Sequence, residues 1–226
     1  MQRLGEGSAY HVDTAVYGIK VGSDIRLFLT GRKDWGAFVD AVVKAFINKV
    51  QTLIATQFAN GVNLIPVPSV LSGTGNLATT SSLKPAFDAI IEKVGAANET
   101  GVVLMGTKTA LKALNNLTKV DYADPANSLK EAVANTGLIG SYEGVPLIEI
   151  PQKFTDKTLA TPIVDNTKIY IMPAVDNKFI KFVDYGESEL EITTKGATQD
   201  DMQSYEVQRR MGVGTLMSRY FGVWTL

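Results

Sequence analysis

The sequence predicts an α+β protein in which a front hairpin, one long helix and the C-terminal strands make a discontinuous outer domain around an inserted α/β domain. Three observations carry that prediction. Apolar residues step by three and four from Trp35 to Ile54, which marks one unusually long helix. Residues Ser81 to Asp184 mix helical and strand periodicities. From Lys168 to Trp224, strand-like runs follow one another with almost no helix, and the apolar content continues nearly to the last residue. Chain ends fray unless something ties them down, so this tail belongs to a sheet or to a neighbouring copy.

The elements follow in order. Tyr10 to Leu29 reads as a β-hairpin: Tyr17, Ile19 and Val21 alternate with Gly18 and Lys20, then Ile25, Leu27 and Leu29 alternate with Arg26 and Phe28. Gly22-Ser23 between them suits a two-residue turn. An isolated hairpin is marginal in water and needs another surface to lie on. Gly31-Arg32-Lys33 closes it, and Asp34 caps the following helix, which Asn60-Gly61 ends. About 26 residues at 1.5 Å each make a rod of roughly 39 Å, long for a compact domain. After a loop with Pro66, Pro68, Gly73 and Gly75, Ser81 or Ser82 caps a second helix whose inner face is Leu83, Phe87, Ile90, Ile91 and Val94, closed by Gly95. Val102 to Met105 is a short buried strand, and Thr107 caps a helix from Lys108 to Leu117 with Leu111 and Leu114 inward. Ser128 and Glu131 make a capping-box pair for a short fourth helix. Two strands flank a Tyr142-Glu143-Gly144 turn, a loop spans Pro151 to Asn166, and strands cover Ile169 to Met172 and Phe179 to Val183. Glu187 to Thr194 alternates weakly, as an edge strand does; Tyr205 to Met211 and Thr215 to Val223 complete the set.

Composition narrows the function. The 226 residues hold 22 basic and 23 acidic side chains, so no global field draws nucleic acid or an acidic membrane. With no cysteine, disulfides and thiolate chemistry are excluded, and with one histidine, His11, no histidine metal site can be built. No segment resembles a signal peptide or a membrane span. His11 stands next to Asp13 in the expected hairpin, where a half-exposed strand residue accounts for it without catalysis. Asp121, Asp124 and Glu131, and Asp200 with Asp201, match no metal-loop spacing and read as caps or solvated faces. Gly73-Thr74-Gly75 lacks the third glycine and the Lys-Ser/Thr ending of a nucleotide loop. No catalytic residue, cofactor site or metal site emerges.

Particular phrases carry a resemblance: "TGLIGSYEGVPLIEIP" (Thr136 to Pro151), "KIYIMPAVDNKFIKFVDYGESEL" (Lys168 to Leu190), "QSYEVQRRMGVGTLMSRYFGVW" (Gln203 to Trp224) and "GVVLMGTKTALKALNNL" (Gly101 to Leu117). In combination, with the hairpin and long helix before them, they make the chain similar to tailed-bacteriophage major capsid proteins of the Hong Kong 97 type, whose fold encapsulins share. The resemblance implies an N-terminal segment and E-loop hairpin over residues 1–33, the spine-helix part of a peripheral domain over 34–80, an axial domain over 81–184 and peripheral-domain strands over 185–226. It implies pentamers and hexamers of an icosahedral phage head around double-stranded DNA, assembled in the host cytoplasm and located in the virion. Portal, scaffolding or maturation protease and weakly held DNA would be partners, with no membrane involved. An encapsulin-type compartment and, less well supported, a small α/β enzyme are the alternatives. The hairpin begins almost at Met1, where that family carries an arm, so a processed form or an internal start is expected.

Assembly makes contact residues the sites of interest. The candidates are Tyr17, Ile19, Arg26 and Phe28 on the hairpin, Arg32 and Lys33 at its base, and Arg209, Arg210, Arg219 and Trp224 in the tail. Adjacent strand residues face opposite ways, so Arg209 and Arg210 cannot form one flat basic patch. Nucleic-acid contact is one reading of this basic cluster, and ion pairs to Glu187, Glu189 or Asp200 of a neighbour suit it at least as well; Trp224 with Phe221 and Tyr220 offers an aromatic binding platform, but core or interface packing suits it better.

Overall fold

A computed structural model describes residues 11–24, 30–31, 34–117, 137–156, 158–175, 179–194 and 202–226. In chain order the elements are β1 (Ala15–Asp24), α1 (Trp35–Leu64), β2 (Ser72–Thr74), α2 (Lys84–Asn98), β3 (Val102–Gly106), α3 (Lys108–Leu117), β4 (Ser141–Tyr142), β5 (Val145–Glu149), β6 (Lys168–Pro173), β7 (Ile180–Thr194), β8 (Met202–Thr215) and β9 (Gly222–Thr225). They form two compact units, each drawn from separated stretches: Met1–Gln57 with Ile180–Thr215, and Phe58–Phe179 with Leu216–Leu226.

The first unit holds an antiparallel sheet in the order β1-β8-β7 and the N-terminal part of α1. Asp34 caps α1 as its sequence suggests: its carboxylate accepts from the backbone N–H of Gly36 at 3.0 Å and of Ala37 at 3.2 Å. The expected turn at Gly22-Ser23 does not form. Both residues continue β1, in register with Ser204 and Gln203 of β8. A partner strand that supplies every ladder bond outweighs a local turn preference. The second half of the expected hairpin lies outside the described residues.

β7 likewise merges two runs read as separate. It is one strand with a break in register between Tyr185 and Glu189, where Gly186 sits at φ +90°. Three residues of β7 face one of β8 there, and the left-handed backbone needed to absorb them is open to glycine. The weak alternation of 187–194 fits its edge position. β8 runs from Met202 to Thr215, longer than the expected Tyr205 to Met211, because it is paired on both sides.

The second unit is built on a six-stranded mixed sheet, β2-β9-β6-β3-β5-β4. β6, at its centre, is buried on nearly every residue. α2 and α3 supply Phe87, Ile90, Val94, Leu111 and Leu114 to one core with Leu104, Ile169, Ile171 and Trp224. These are the inner faces that the sequence periodicity predicts. The Tyr142-Glu143-Gly144 turn also forms, with φ +47° and +84° at its two central residues, as a tight hairpin demands. Asn115 joins α3 to the stretch that leads into this hairpin, donating to Gly137 O at 3.1 Å and accepting from Ile139 N at 3.3 Å.

Four boundaries differ from expectation. α1 passes through Asn60-Gly61 to Leu64, because Phe58, Ala59, Gly61 and Val62 are buried and Pro66 is the actual stop. The second helix opens with a 3-10 turn over Ser81–Leu83 and carries no side-chain cap at Leu83. That helix, α2, passes Gly95 and ends at Asn98, with Glu99 in the left-handed region at φ +52°. The expected strand Thr215 to Val223 is instead the end of β8, an irregular stretch, and β9. β9 runs antiparallel to β6 and parallel to β2, so the apolar tail is tied into the second unit's sheet. The helix expected at Ser128–Glu131 falls outside the described residues.

Candidate assembly surfaces

Strand alternation sets the chemistry of the first unit. One face of its sheet carries Tyr17, Val207, Arg209, Met211, Phe182 and Asp184; the other carries Val16, Arg210 and Tyr185. Arg209 and Arg210 therefore point apart, as expected. The Arg209 guanidinium donates through Nε to Asp184 Oδ1 at 2.9 Å and through Nη2 to Asp184 Oδ2. The hydrogen bonds to the Asp184 carboxylate raise the Arg209 pKa above its ordinary value. The partner is thus Asp184 of the same chain, one strand away, where acidic residues of a neighbour were expected. Arg210 Nε donates to Thr14 Oγ1 at 2.9 Å, and its guanidinium lies 5.4 Å from the Tyr185 ring centroid.

The Asp184–Arg209 pair borders an apolar groove of about 600 Å³ between α1 and this face. Phe38, Val42, Phe46 and Val50 of α1 and Phe182, Val207 and Met211 of the strands line it. Val39, Val43 and Ile47, spaced by four along α1, also line it and stay 42–50% exposed. An apolar stripe this open is area that one copy leaves uncovered. The sequence shows Val39 in the helical pattern, but Val43 and Ile47 become conspicuous only when the open side is seen. Tyr17 lies opposite Arg209 in register and takes Lys49 Nζ at 5.0 Å from its ring. Ile19, opposite Val207, is half-buried. Arg26, Phe28, Arg32 and Lys33 lie outside the described residues.

In the second unit, Trp224, for which core or interface packing was expected, sits in the core. It is 2% exposed, packs edge-on against Phe87 with centroids 5.4 Å apart, and donates Nε1–H to Gly75 O at 2.8 Å. The Gly73 backbone lies so close that a Cβ there would fall 2.4 Å from the indole. Gly73 and Gly75, which fall short of a nucleotide loop in sequence, are the seat of this ring. Phe87 continues the aromatic run to Tyr142, 5.6 Å away, whose hydroxyl donates to Asp88 Oδ1 at 2.8 Å. Burial, and then the Asp88 hydrogen bond, push the Tyr142 phenol well above its normal range. Lys84 pairs with Glu143 at the hairpin tip, and that hydrogen bond raises the lysine's pKa. Burial raises Tyr170 to about 12, so neither phenol is poised for proton transfer near neutrality.

Arg219 is exposed and donates Nη1–H to the Asn98 carbonyl at 3.1 Å. Its neighbour Tyr220 is exposed too, and Asn98, which holds this stretch, carried no signal in the sequence beyond its place at a helix end. Among the described residues no cluster of His, Asp and Glu could hold a metal ion, and no helix is long and apolar enough to cross a membrane. Among the described residues the features are an open apolar groove and a core without a buried unsatisfied side-chain polar atom.

Comparisons with known proteins agree with that character. No curated protein matches the chain. Among solved structures, it superposes on the mature capsid of bacteriophage PhiM1 with a TM-score of 0.65 at 12% identity, covering 100% of this chain and 76% of that one. The fold also matches a structure from Mycobacterium phage Che8 (TM-score 0.55, 14% identity, 93% and 70% covered) and one from Microbacterium phage Oxtober96 (0.53, 12%, 95% and 73%). The α+β fold is thus that of tailed-phage capsids, the Hong Kong 97-type resemblance seen in the sequence. A family model described as "SPbeta prophage-derived putative capsid protein YonB" matches residues 1–225. The chain belongs to the YonB family of phage capsid proteins, structural components of a virion shell.

Proposed function

We propose that this capsid protein closes as pentamers and hexamers into an icosahedral head around double-stranded DNA. The observation that carries the reading is the family match along residues 1–225, supported by a fold that superposes over its full length on a mature phage capsid. Function then means many weak copy–copy contacts summed by closure, each modest alone. The open apolar groove beside α1 supplies area of the kind such contacts cover. Net charge near zero leaves no strong barrier between copies and no strong pull on DNA, so contact with the genome is weak and non-specific.

In this reading the front of the chain, residues 1–33, acts as an E-loop reaching onto a neighbour, and the spine helix from 34 with the strands of 180–215 forms the peripheral domain. The six-stranded sheet of the second unit is the axial domain that meets its copies at vertices. Supporting this are the two compact units, with 180–215 grouped with the front of the chain. Because β9 joins the second sheet, residues 216–226 are assigned to the axial domain and not to the peripheral strands first expected over 185–226. Portal, scaffolding and a maturation protease are the partners that such a head requires.

The test is to express the full chain and examine it by sedimentation and negative-stain microscopy. Closed shells or five- and six-membered rings support the reading; a monodisperse small oligomer at all concentrations overturns it. Deleting Tyr10 to Leu29 should leave capsomers or aggregates, and intact shells after deletion would refute the E-loop assignment.

A further inference from the structure

Between β8 and β9 the chain is irregular from Leu216 to Phe221, yet one residue in it is held on both backbone groups. Asn98, 3% exposed at the end of α2, accepts from Tyr220 N at 3.1 Å through Oδ1 and donates through Nδ2 to Tyr220 O at 2.8 Å. The same amide also donates to Val94 O at 2.8 Å, and the Asn98 carbonyl accepts from Arg219 Nη1 at 3.1 Å. Phe221 next door is 3% exposed and plugs the core. A buried side-chain amide with both N–H groups donating and its oxygen accepting is a rigid fixture, since leaving any of these bonds unmade is costly. This fixture presents two exposed side chains: Tyr220 is 57% exposed, and Arg219 beside it has no carboxylate within ion-pair distance among the described residues.

Core packing does not explain an aromatic ring held out into solvent. Tyrosine and arginine are the side chains that most often anchor protein interfaces, and anchoring costs least when the backbone is already fixed. We propose that Arg219 and Tyr220 form a pre-organised anchor that docks on a carboxylate-bearing, apolar patch of a second copy of this chain. The inference rests on the shell reading and names one contact within it. Charge complementarity sets the occupant: an exposed guanidinium that donates to a neutral carbonyl still calls for an anion, and each copy brings 23 acidic residues. Nucleic acid, which offers phosphate to arginine and bases to a ring, is the competing occupant that the test separates.

The test uses the full chain with Arg219→Glu, Tyr220→Ala, Arg219→Lys and Tyr220→Phe. Thermal melting and circular dichroism establish folding, gradient sedimentation gives particle yield, and absorbance at 260 and 280 nm gives nucleic acid content. Arg219→Glu and Tyr220→Ala should melt with the parent and lose at least tenfold in particle yield; Arg219→Lys and Tyr220→Phe should retain it. A photo-crosslinking amino acid at position 220 should join two copies covalently, a readout that does not depend on any variant folding. Parent-level particle yield in both disruptive variants, or normal particles with reduced nucleic acid and crosslinks to nucleic acid alone, overturns the proposal. A parent chain that never assembles overturns the shell reading together with this one, whereas normal variants beside a normal parent overturn this one only.

Discussion

The indole N–H of Trp224 donates to the carbonyl of Gly75 at 2.8 Å, tying the third residue from the C-terminus to the loop that follows β2. The ring also packs on Phe87 and lies against Gly73, so one side chain joins α2, β2 and β9. Trp224→Ala should therefore destabilise the unassembled chain by about 3–5 kcal/mol, the range for removing a buried large aromatic. Trp224→Phe keeps most of the packing but strands the Gly75 carbonyl, and should cost about 1–3 kcal/mol. Urea unfolding followed by circular dichroism reads both.

Gly73→Val should be as damaging as the loss of the indole, because the added Cβ would fall 2.4 Å from a ring that buried neighbours hold in place. A nucleotide-loop role predicts instead that stability is spared. The midpoint of urea unfolding distinguishes the two.

The bulge in β7 gives a third expectation. Gly186 at φ +90° has nothing within 4 Å of where a Cβ would stand, so Gly186→Ala introduces backbone strain and no clash. It should cost on the order of 1–3 kcal/mol. Hydrogen exchange should show the loss around residues 184–189 and leave β6 unchanged.

Asp165 gives a pH dependence whose sign is fixed. Burial alone would raise its pKa, but hydrogen bonds from Thr167 N at 2.9 Å and Thr167 Oγ1 at 2.7 Å, with the Lys168 charge, outweigh burial and hold it below the usual carboxylate value. A depressed folded-state pKa contributes stability that is present above the unfolded value, about 3.9, and is lost as pH falls through the folded one. Asp165→Asn should flatten the fall in stability below about pH 4 relative to the parent. Urea midpoints measured from pH 6 to pH 2 check this; identical slopes would contradict it.

How much of this was legible in the chain depends on range. The long helix, the inner faces of α2 and α3, the Asp34 cap and the 143–144 turn rest on residues close in sequence, and each formed where the pattern places it. The turn at Gly22-Ser23 failed because β8, some 180 residues away, supplies a partner that local preference cannot register. The helix stop at Gly61 failed for the same reason, since burial of Phe58 and Val62 carries the helix onward. Contact residues were harder still. Arg209 was visible as a charge, but its Asp184 partner, like the hold of Asn98 on Tyr220, depends on pairing that only the fold creates.

The central claim is that one copy leaves apolar surface that other copies cover, beginning with the groove that holds Val39, Val43 and Ile47. The most direct measurement is sedimentation of the full chain against a Val43→Asp, Ile47→Asp variant of unchanged circular dichroism. The account predicts megadalton particles or capsomers from the parent and a folded, slowly sedimenting species from the variant. A parent that remains a small monodisperse species, or a variant that assembles as the parent does, would contradict it.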